Sequence, residues 1–129
     1  MLEQTFNRIR KKCKHFNSEY FCGEGKFNKA NFEDLNAFYS SYACFTFSPE
    51  SGEISNVISY KKGEAYSLLT KNLDEIKTKK EIFALIHRRN IKAINLFKRL
   101  GFIETKKQEG EFVKYVRKKQ TAKAKSGRY

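Results

Sequence analysis

Apolar residues near the N-terminus recur every three or four positions, with basic residues between them. The apolar positions are Leu2, Phe6, Ile9, Cys13 and Phe16. This period predicts a basic amphipathic helix. A short strand is expected near residues 19–22, in a segment that contains two glycines. Asn31 followed by Asp34 then predicts a second helix over residues 32–40, because Asn caps helices well and an acidic residue suits the first turn.

The pattern changes after residue 41. Residues 42–47 (YACFTF) and 54–60 (ISNVISY) predict two strands of a hairpin around the polar run SPESGE. From Gly63 onward the helical period returns, with Leu68, Leu69 and Leu73 on one face. Residues 81–86 (EIFALI) are almost wholly apolar. Such a run predicts a strand that is covered on both faces, in a parallel or central position.

The C-terminal part predicts one more helix and a final hairpin. Asn90 opens the helix, Gly101 ends it, and Ala93, Leu96, Phe97 and Leu100 form its apolar stripe. Residues 102–105 and 111–117 form the hairpin. The chain of 129 residues therefore predicts a single α/β domain, with a mixed central sheet flanked by helices. We divide it into an N-terminal helical region (1–41), a core (42–118) and a basic tail (119–129).

The net charge of +13 is large for this length and favours a polyanionic partner such as nucleic acid. Residues 114–129 contain seven Lys or Arg residues and no acidic residue. A disordered, solvated tail and a nucleic-acid anchor are both compatible with this composition. The first helix carries a second concentration of basic residues.

The three cysteines, Cys13, Cys22 and Cys44, match no metal or redox spacing. We expect free thiols in a reducing compartment, and no metal. The N-terminal sequence lacks the apolar run of a signal peptide. No stretch approaches the roughly 18 apolar residues of a membrane-spanning helix. A cytoplasmic location without membrane contact is therefore expected.

A candidate anion site lies where the strand at 54–60 leads into the next helix, in YKKGEAYSLL. A helix N-terminus presents free N–H groups and the positive end of the helix dipole, and both favour phosphate. Gly63 allows the backbone to approach an anion closely, while Lys61 and Lys62 add positive charge. A glycine at a helix start also occurs without any ligand, so this segment alone leaves a purely structural role open.

The later segment NIKAINLFKRLGF resembles the conserved motif of the GNAT superfamily of N-acetyltransferases, Asn-x-x-Ala-x-x-Leu-aromatic-x-x-x-Gly-Phe. The matching residues are Asn90, Ala93, Leu96, Phe97, Gly101 and Phe102. The upstream YKKGEAYSLL is similar to the family's pyrophosphate loop, with Gly63 and Ala65 at matching positions. One helix and one strand separate the two motifs, as in the family. The resemblance spans residues 42–117.

This resemblance implies acetyl-CoA as co-substrate and transfer of its acetyl group to an amine. The pyrophosphate is expected at the loop formed by Tyr60, Lys61, Lys62, Gly63, Glu64, Ala65 and Tyr66. The strand at 54–60 is expected to splay from the strand at 81–86, with the pantetheine arm in the opening. Asn90 is expected to hydrogen-bond this arm, and Ala93 and Phe97 to line the cofactor wall.

Two positions depart from the family pattern. Tyr60 stands where the loop usually has Arg or Gln, and Phe97 stands where many members have a Tyr that protonates the leaving thiolate. The candidates for the catalytic base are Glu53 and His87. Without a catalytic role, Glu53 would be a solvated turn carboxylate and His87 an exposed loop histidine.

Two functions therefore remain open. The first is an acetyl-CoA-dependent N-acetyltransferase that acts on a protein lysine, an N-terminus, an aminoacyl-tRNA or a small amine. The net charge of +13 favours a macromolecular acceptor, a protein or a tRNA. The second is a non-catalytic module that binds nucleic acid or protein on the same scaffold.

Overall fold

The computed structural model describes residues 2–14, 16–20 and 36–117. These residues form three α-helices and six strands, together with a 3-10 turn at Ser18–Tyr20. In chain order the elements are α1 (Leu2–Lys12), β1 (Asn36–Tyr39), β2 (Ala43–Phe47), β3 (Glu53–Ser59), α2 (Glu64–Leu73), β4 (Phe83–His87), α3 (Ile91–Arg99), β5 (Phe102–Glu109) and β6 (Phe112–Arg117).

All six strands belong to one mixed sheet with the order β1-β2-β3-β4-β6-β5. β3 and β4 are parallel, and every other neighbouring pair is antiparallel. The predicted α/β class with a mixed sheet is confirmed. β4 lies between β3 and β6, which is the central position that its apolar composition predicts. The tail at 119–129 lies outside the described residues.

The helix predicted over residues 32–40 is wrong where the structure describes it, because Asn36–Tyr39 is a strand. Phe38 lies opposite Phe45 in the register, and the two rings stack with centroids 4.8 Å apart. Such a cross-strand aromatic pair stabilises a sheet and here overrides the local helical pattern. The Ser40 hydroxyl then accepts the N–H groups of Tyr42 and Ala43 in the turn to β2.

The strand expected near residues 19–22 is also absent from its described part, since Ser18–Tyr20 forms a 3-10 turn. Residues 21–35, which include Cys22 and the Asn31–Asp34 cap, lie outside the described residues.

The helices divide between the two faces of the sheet. α2 and α3 cover one face, where a large apolar cluster includes Phe45, Leu69 and Phe97. α1 covers the other face, where Phe6 and Ile9 pack on Cys44 and Ile58. β2 is buried along its whole length because both of its faces are covered.

A β-bulge in β3 sends the two ends of this strand to opposite faces. Asn56 has a φ of 57°, and the register with β2 shifts between Cys44 and Thr46. As a result Ile54 packs in the α2–α3 cluster, whereas Ile58 packs under α1. An uninterrupted strand places residues four apart on the same face, so the bulge supplies the extra residue that reverses the side chains.

Candidate functional site

β3 and β4 are paired only at one end. Their register contains two pairs, Glu53 with Phe83 and Ile54 with Ala84. Just before these pairs, the Phe83 N–H donates to the Gly52 carbonyl over 3.0 Å. We call this paired part the closed end. The rest of the two strands, both fully described, has no pairing between them, so an opening begins after Ile54.

Gly52 is required at the closed end. It is buried and has a φ of 90°, a conformation that L side chains rarely adopt. A Cβ atom at this position would lie 2.2 Å from the Glu81 carbonyl oxygen. Only glycine therefore lets the chain pass this close to the start of β4.

Part of the β3 backbone faces the opening. The Tyr60 N–H donates to the Tyr42 carbonyl over 3.1 Å, which places Tyr60 on the β2 side. Because backbone groups of successive residues alternate in direction, those of Ser59 point away from β2. The Ser59 carbonyl accepts the Cys13 thiol over 3.2 Å on that side. The Ser59 N–H thus lies on the side of β3 that faces away from β2.

The N-terminus of α2 lies directly after β3. Gly63 is its N-cap residue, with a φ of 86°, and no side chain caps the helix. The Ser67 N–H makes a hydrogen bond to the Gly63 carbonyl over 3.0 Å. The N–H groups of Ala65 and Tyr66 precede this bond and are orphan donors of the first turn. A Cβ atom at Gly63 would find nothing within 4 Å, so the approach to these donors is open.

Tyr60 organises the cations beside this helix start. Its hydroxyl donates to the Ser41 carbonyl over 3.1 Å, and its ring packs edge to face on Tyr42 at 5.5 Å. The Lys12 ammonium lies 5.0 Å from the centre of the Tyr60 ring, and that of Lys61 lies 4.4 Å from the centre of the Tyr42 ring. Tyr60 therefore places positive charge near the loop, although it carries none itself.

The other loop residues surround the same turn. Lys61, Lys62 and Gly63 are exposed, whereas Glu64 and Ala65 are half-buried. The Arg99 guanidinium lies 4.2 Å from the centre of the Tyr66 ring and so joins the end of α3 to the first turn of α2.

Asn90 caps α3, as its position in the sequence predicts. Its side-chain oxygen accepts the Ala93 N–H over 3.3 Å, and its own N–H donates to the His87 carbonyl over 2.8 Å. The cap uses Oδ1 and leaves the two Nδ2 hydrogens as donors. Asn90 can therefore hold the helix start and bind a ligand at once.

The two residues expected to line the cofactor wall differ in burial. Ala93 is half-buried against the main cluster. Phe97 is 2 % exposed and packs edge to face on Phe102 at 4.9 Å. The structure gives Phe97 a packing role, and its place on the cofactor wall stays a prediction.

His87 is buried and not an exposed loop residue, since it is only 6 % exposed. Its Nδ1 accepts the Arg89 N–H over 3.1 Å, and its ring packs between Tyr20 and Phe112. Its Nδ1 is thus occupied by a backbone hydrogen bond, and its ring is held between two aromatic side chains. This geometry supports a role in fixing the β4–α3 turn.

Glu53 is the better candidate for a base. It is half-buried in β3, and burial, followed by the negative charge of Glu109, raises the pKa of its carboxyl. A carboxylate with a raised pKa is a stronger proton acceptor near neutral pH. Glu53 is thus not the fully solvated turn carboxylate of the alternative.

The structure does not bring the two base candidates together. Glu53 in β3 lies opposite Phe83, the first residue of β4, whereas His87 is the last residue of β4. Four residues of strand separate them, which corresponds to about 13 Å.

Within residues 2–14, 16–20 and 36–117, no group of three His, Cys, Asp or Glu residues could hold a metal ion. Cys13 and Cys44 are free thiols, and burial, followed by the Cys13 charge, raises the pKa of Cys44 to about 12. None of the described helices is long and apolar enough to cross a membrane.

Two residues beside the opening have no place in the sequence-based site, Gly52 and Asn56. Their sequence signals are faint: a glycine before a predicted strand, and an Asn inside one. Asn is disfavoured within strands but tolerates positive φ, so Asn56 was a possible sign of a bulge.

Comparison with known proteins finds no family model, no curated protein and no solved structure that matches the chain. The GNAT resemblance therefore depends on the two sequence motifs alone.

Proposed function

We propose that this chain is an acetyl-CoA-dependent N-acetyltransferase that transfers an acetyl group to an amine on a macromolecular acceptor. One observation carries the proposal. The parallel strands β3 and β4 separate after two paired positions, and a helix N-terminus follows each of them at the wide end of the opening. This is the arrangement that the resemblance requires for the pantetheine arm and the pyrophosphate.

The loop residues fit a pyrophosphate. The orphan N–H groups of Ala65 and Tyr66 combine with the positive end of the α2 dipole. Lys61 and Lys62 are exposed on the same loop. The open space above Gly63 leaves room for a phosphate against the backbone.

The opening fits an amide-containing arm. The Ser59 N–H lies on the side of β3 that faces away from β2, and the Nδ2 hydrogens of Asn90 are available near the end of β4. The arm can thus bond to strand edges much as an additional strand does.

Acetyl-CoA supplies the acetyl thioester, and the residues of this chain position it. The N–H groups along β3 can polarise the thioester carbonyl as the amine attacks. The new C–N bond forms as the C–S bond breaks, and Glu53 accepts the amine proton, with water as a relay. Phe97 offers no proton, so the sulfur leaves as a thiolate and takes its proton from water. A thiol pKa near 8.5, as in cysteine, makes this departure feasible at neutral pH.

Thermal unfolding in the presence of acetyl-CoA tests the proposal. A ligand at one hundred times its Kd stabilises the folded state by about 2.7 kcal/mol, which raises Tm by several degrees. Gly63→Asp should abolish this increase because it places a carboxylate beside the phosphate. Gly63→Ala is the matched control, since it carries the same strain at positive φ without the charge, and it should keep most of the increase. Wild-type protein with an unchanged Tm in millimolar acetyl-CoA would contradict the proposal.

Transfer of radiolabelled acetyl groups tests the reaction itself. Labelled acetyl-CoA is incubated with the protein and a cell extract, and the products are digested with protease or ribonuclease. Label that is released by only one of the two enzymes identifies the acceptor as protein or RNA. Binding of acetyl-CoA without any transfer to either class would favour the non-catalytic alternative.

A further inference from the structure

A concentration of basic side chains lies where α1 meets the end of β3. In the sequence, the stretches 4–18, 40–49 and 54–63 contain no Asp or Glu. They carry seven basic residues, which are Arg8, Arg10, Lys11, Lys12, Lys14, Lys61 and Lys62. We call these seven residues the cationic surface.

The packing of α1 turns most of these side chains to solvent. Phe6 and Ile9 are completely buried against the sheet, so the opposite side of the helix is outside. Arg8, Lys11, Lys12 and Lys14 are exposed. Four residues of helix span about 6 Å, so Arg8 and Lys12 lie one turn apart on the same side.

Contacts between two tyrosines join the helix to the loop before α2. Lys12 lies over the ring of Tyr60, and Lys61 lies over the ring of Tyr42. The two rings pack edge to face at 5.5 Å. The positive charges of α1 and of the loop therefore form one continuous surface, and the rings hold two of its ammonium groups in place.

We propose that the cationic surface binds the phosphate backbone of duplex DNA. This inference goes beyond acetyl transfer and does not depend on it. A row of exposed basic side chains matches the DNA backbone, which carries about one negative charge per 1.7 Å of helix axis. The wide major groove of B-form DNA admits a helix such as α1, whereas side chains cannot read the narrow major groove of duplex RNA.

Two other anionic partners fit this surface less well. Binding of single strands uses aromatic rings on which bases stack, but Tyr42 and Tyr60 have ammonium groups over their faces. A protein partner needs an apolar contact at the centre of its interface. The large apolar side chains most exposed in the described residues are Tyr39, Ile91 and Ile103, and none of them belongs to α1 or to the loop after β3.

Fluorescence anisotropy with a labelled 20-base-pair DNA duplex, over a range of salt concentrations, tests this assignment. The variant Arg8→Gln/Lys11→Gln removes two exposed charges without touching the tyrosines. The matched control is Lys106→Gln/Lys107→Gln, which removes two exposed charges from β5. At 0.1 M salt, loss of two phosphate contacts should weaken binding by about tenfold or more and reduce the salt slope by about 2. The control should lose less than about threefold, by long-range charge alone.

Three results would overturn the inference. Equal losses in both double variants would show that net charge, not the surface, binds the DNA. Tighter binding of single-stranded DNA or duplex RNA of the same length would exclude duplex DNA as the partner. Competition by poly-glutamate as efficient as that by DNA would indicate an acidic protein.

Acetyl-CoA-dependent stabilisation of the same variants separates this inference from the proposed enzyme. Arg8 and Lys11 lie outside the residues assigned to acetyl-CoA, so the double variant should keep the Tm increase of the wild type. DNA binding that depends on α1, without any response to acetyl-CoA, would refute the enzyme and leave the DNA surface standing. A Tm increase with acetyl-CoA, without DNA binding that depends on α1, would refute the DNA surface alone.

Discussion

The two ends of the β3–β4 pair differ in what their backbones contact. At the closed end, Gly52 lies against the Glu81 carbonyl, and a hydrogen bond links Gly52 to Phe83. At the open end, the two strands have no mutual pairing, and each is followed by a helix N-terminus. The contrast shows that contacts at one end hold β3 and β4 together. The other end, where the two strands separate, is where we propose that the ligand binds.

The largest effect is expected at the closed end, from Gly52→Ala. The new Cβ atom would collide with the Glu81 carbonyl oxygen, and the residue would keep a positive φ. Backbone strain of about 1–3 kcal/mol adds to the lost hydrogen bond of about 1 kcal/mol, so we expect a loss of about 2–4 kcal/mol. Urea unfolding measures it. Gly110→Ala is the control, because Gly110 also has a positive φ but nothing within 4 Å, and it should lose only about 1 kcal/mol.

Similar losses for the two alanine variants would show that positive φ alone, and not the close approach of the chains, makes Gly52 necessary.

The next largest effect is expected between the two ends, at Asn56. Its Nδ2 group donates to the Thr46 hydroxyl over 3.0 Å, and its φ is positive. Asn56→Val should cost about 2 kcal/mol or more, since a β-branched residue tolerates this φ poorly and the buried hydroxyl loses a donor. Asn56→Gly accepts the same φ and loses only the hydrogen bond, which contributes about 1 kcal/mol.

The same pair of variants tests whether the bulge shapes the opening. Asn56→Gly should retain the acetyl-CoA-dependent increase in Tm, and Asn56→Val should lose it. An equal response of both variants to acetyl-CoA would show that the bulge has no effect on acetyl-CoA binding.

At the open end the expected loss of stability is smaller. Asn90→Ala removes the cap of α3 and should cost about 1 kcal/mol. Asn90→Asp keeps an oxygen for the Ala93 N–H but has no Nδ2 donor. It should therefore fold with wild-type stability and bind acetyl-CoA more weakly. Titration calorimetry with acetyl-CoA provides the measurement, and unchanged affinity in Asn90→Asp would limit Asn90 to capping.

Much of the fold could be predicted where a pattern repeats. The apolar run of β4 predicts its central position, and Asn90 and Gly101 predict the limits of α3. β1 could not be predicted this way, because its strand conformation depends on the pairing of Phe38 with Phe45 across a turn. The local strand propensity of residues 36–39 gives no information about that cross-strand contact.

The candidate site likewise has features that the sequence predicts and features that it does not. Its loop and helix starts follow from glycine and cap chemistry, which act over a few residues. Gly52 and Asn56 lie on either side of the last paired positions of β3, and their roles arise from the chains that pack beside them. The burial of His87 between Tyr20 and Phe112 is equally a property of tertiary packing. Its sequence neighbours Arg88 and Arg89 favoured exposure.

The smallest expected effect on stability concerns Glu53, a closed-end residue with a proposed catalytic role. Burial raises its pKa above the ordinary value of 4.5 in the folded protein. Between pH 4.5 and this raised pKa, the folded state binds more protons than the unfolded chain. The contribution of the Glu53 carboxyl to the free energy of unfolding therefore falls as pH rises through that interval and remains low above it. Glu53→Gln removes this penalty, so the variant should exceed wild type in stability at pH 7, and the difference should shrink below pH 4.5.

Chemical unfolding of both proteins from pH 4 to pH 8 measures this difference, with Glu50→Gln as a control for the loss of one exposed negative charge. The acetyl-transfer rate of Glu53→Gln should fall although its stability rises, because the amide cannot accept a proton. This combination distinguishes a base from a merely buried carboxyl. A stability difference that does not change with pH would contradict the raised pKa. A wild-type transfer rate would instead exclude Glu53 as the base, and the closed end would then contribute to stability alone.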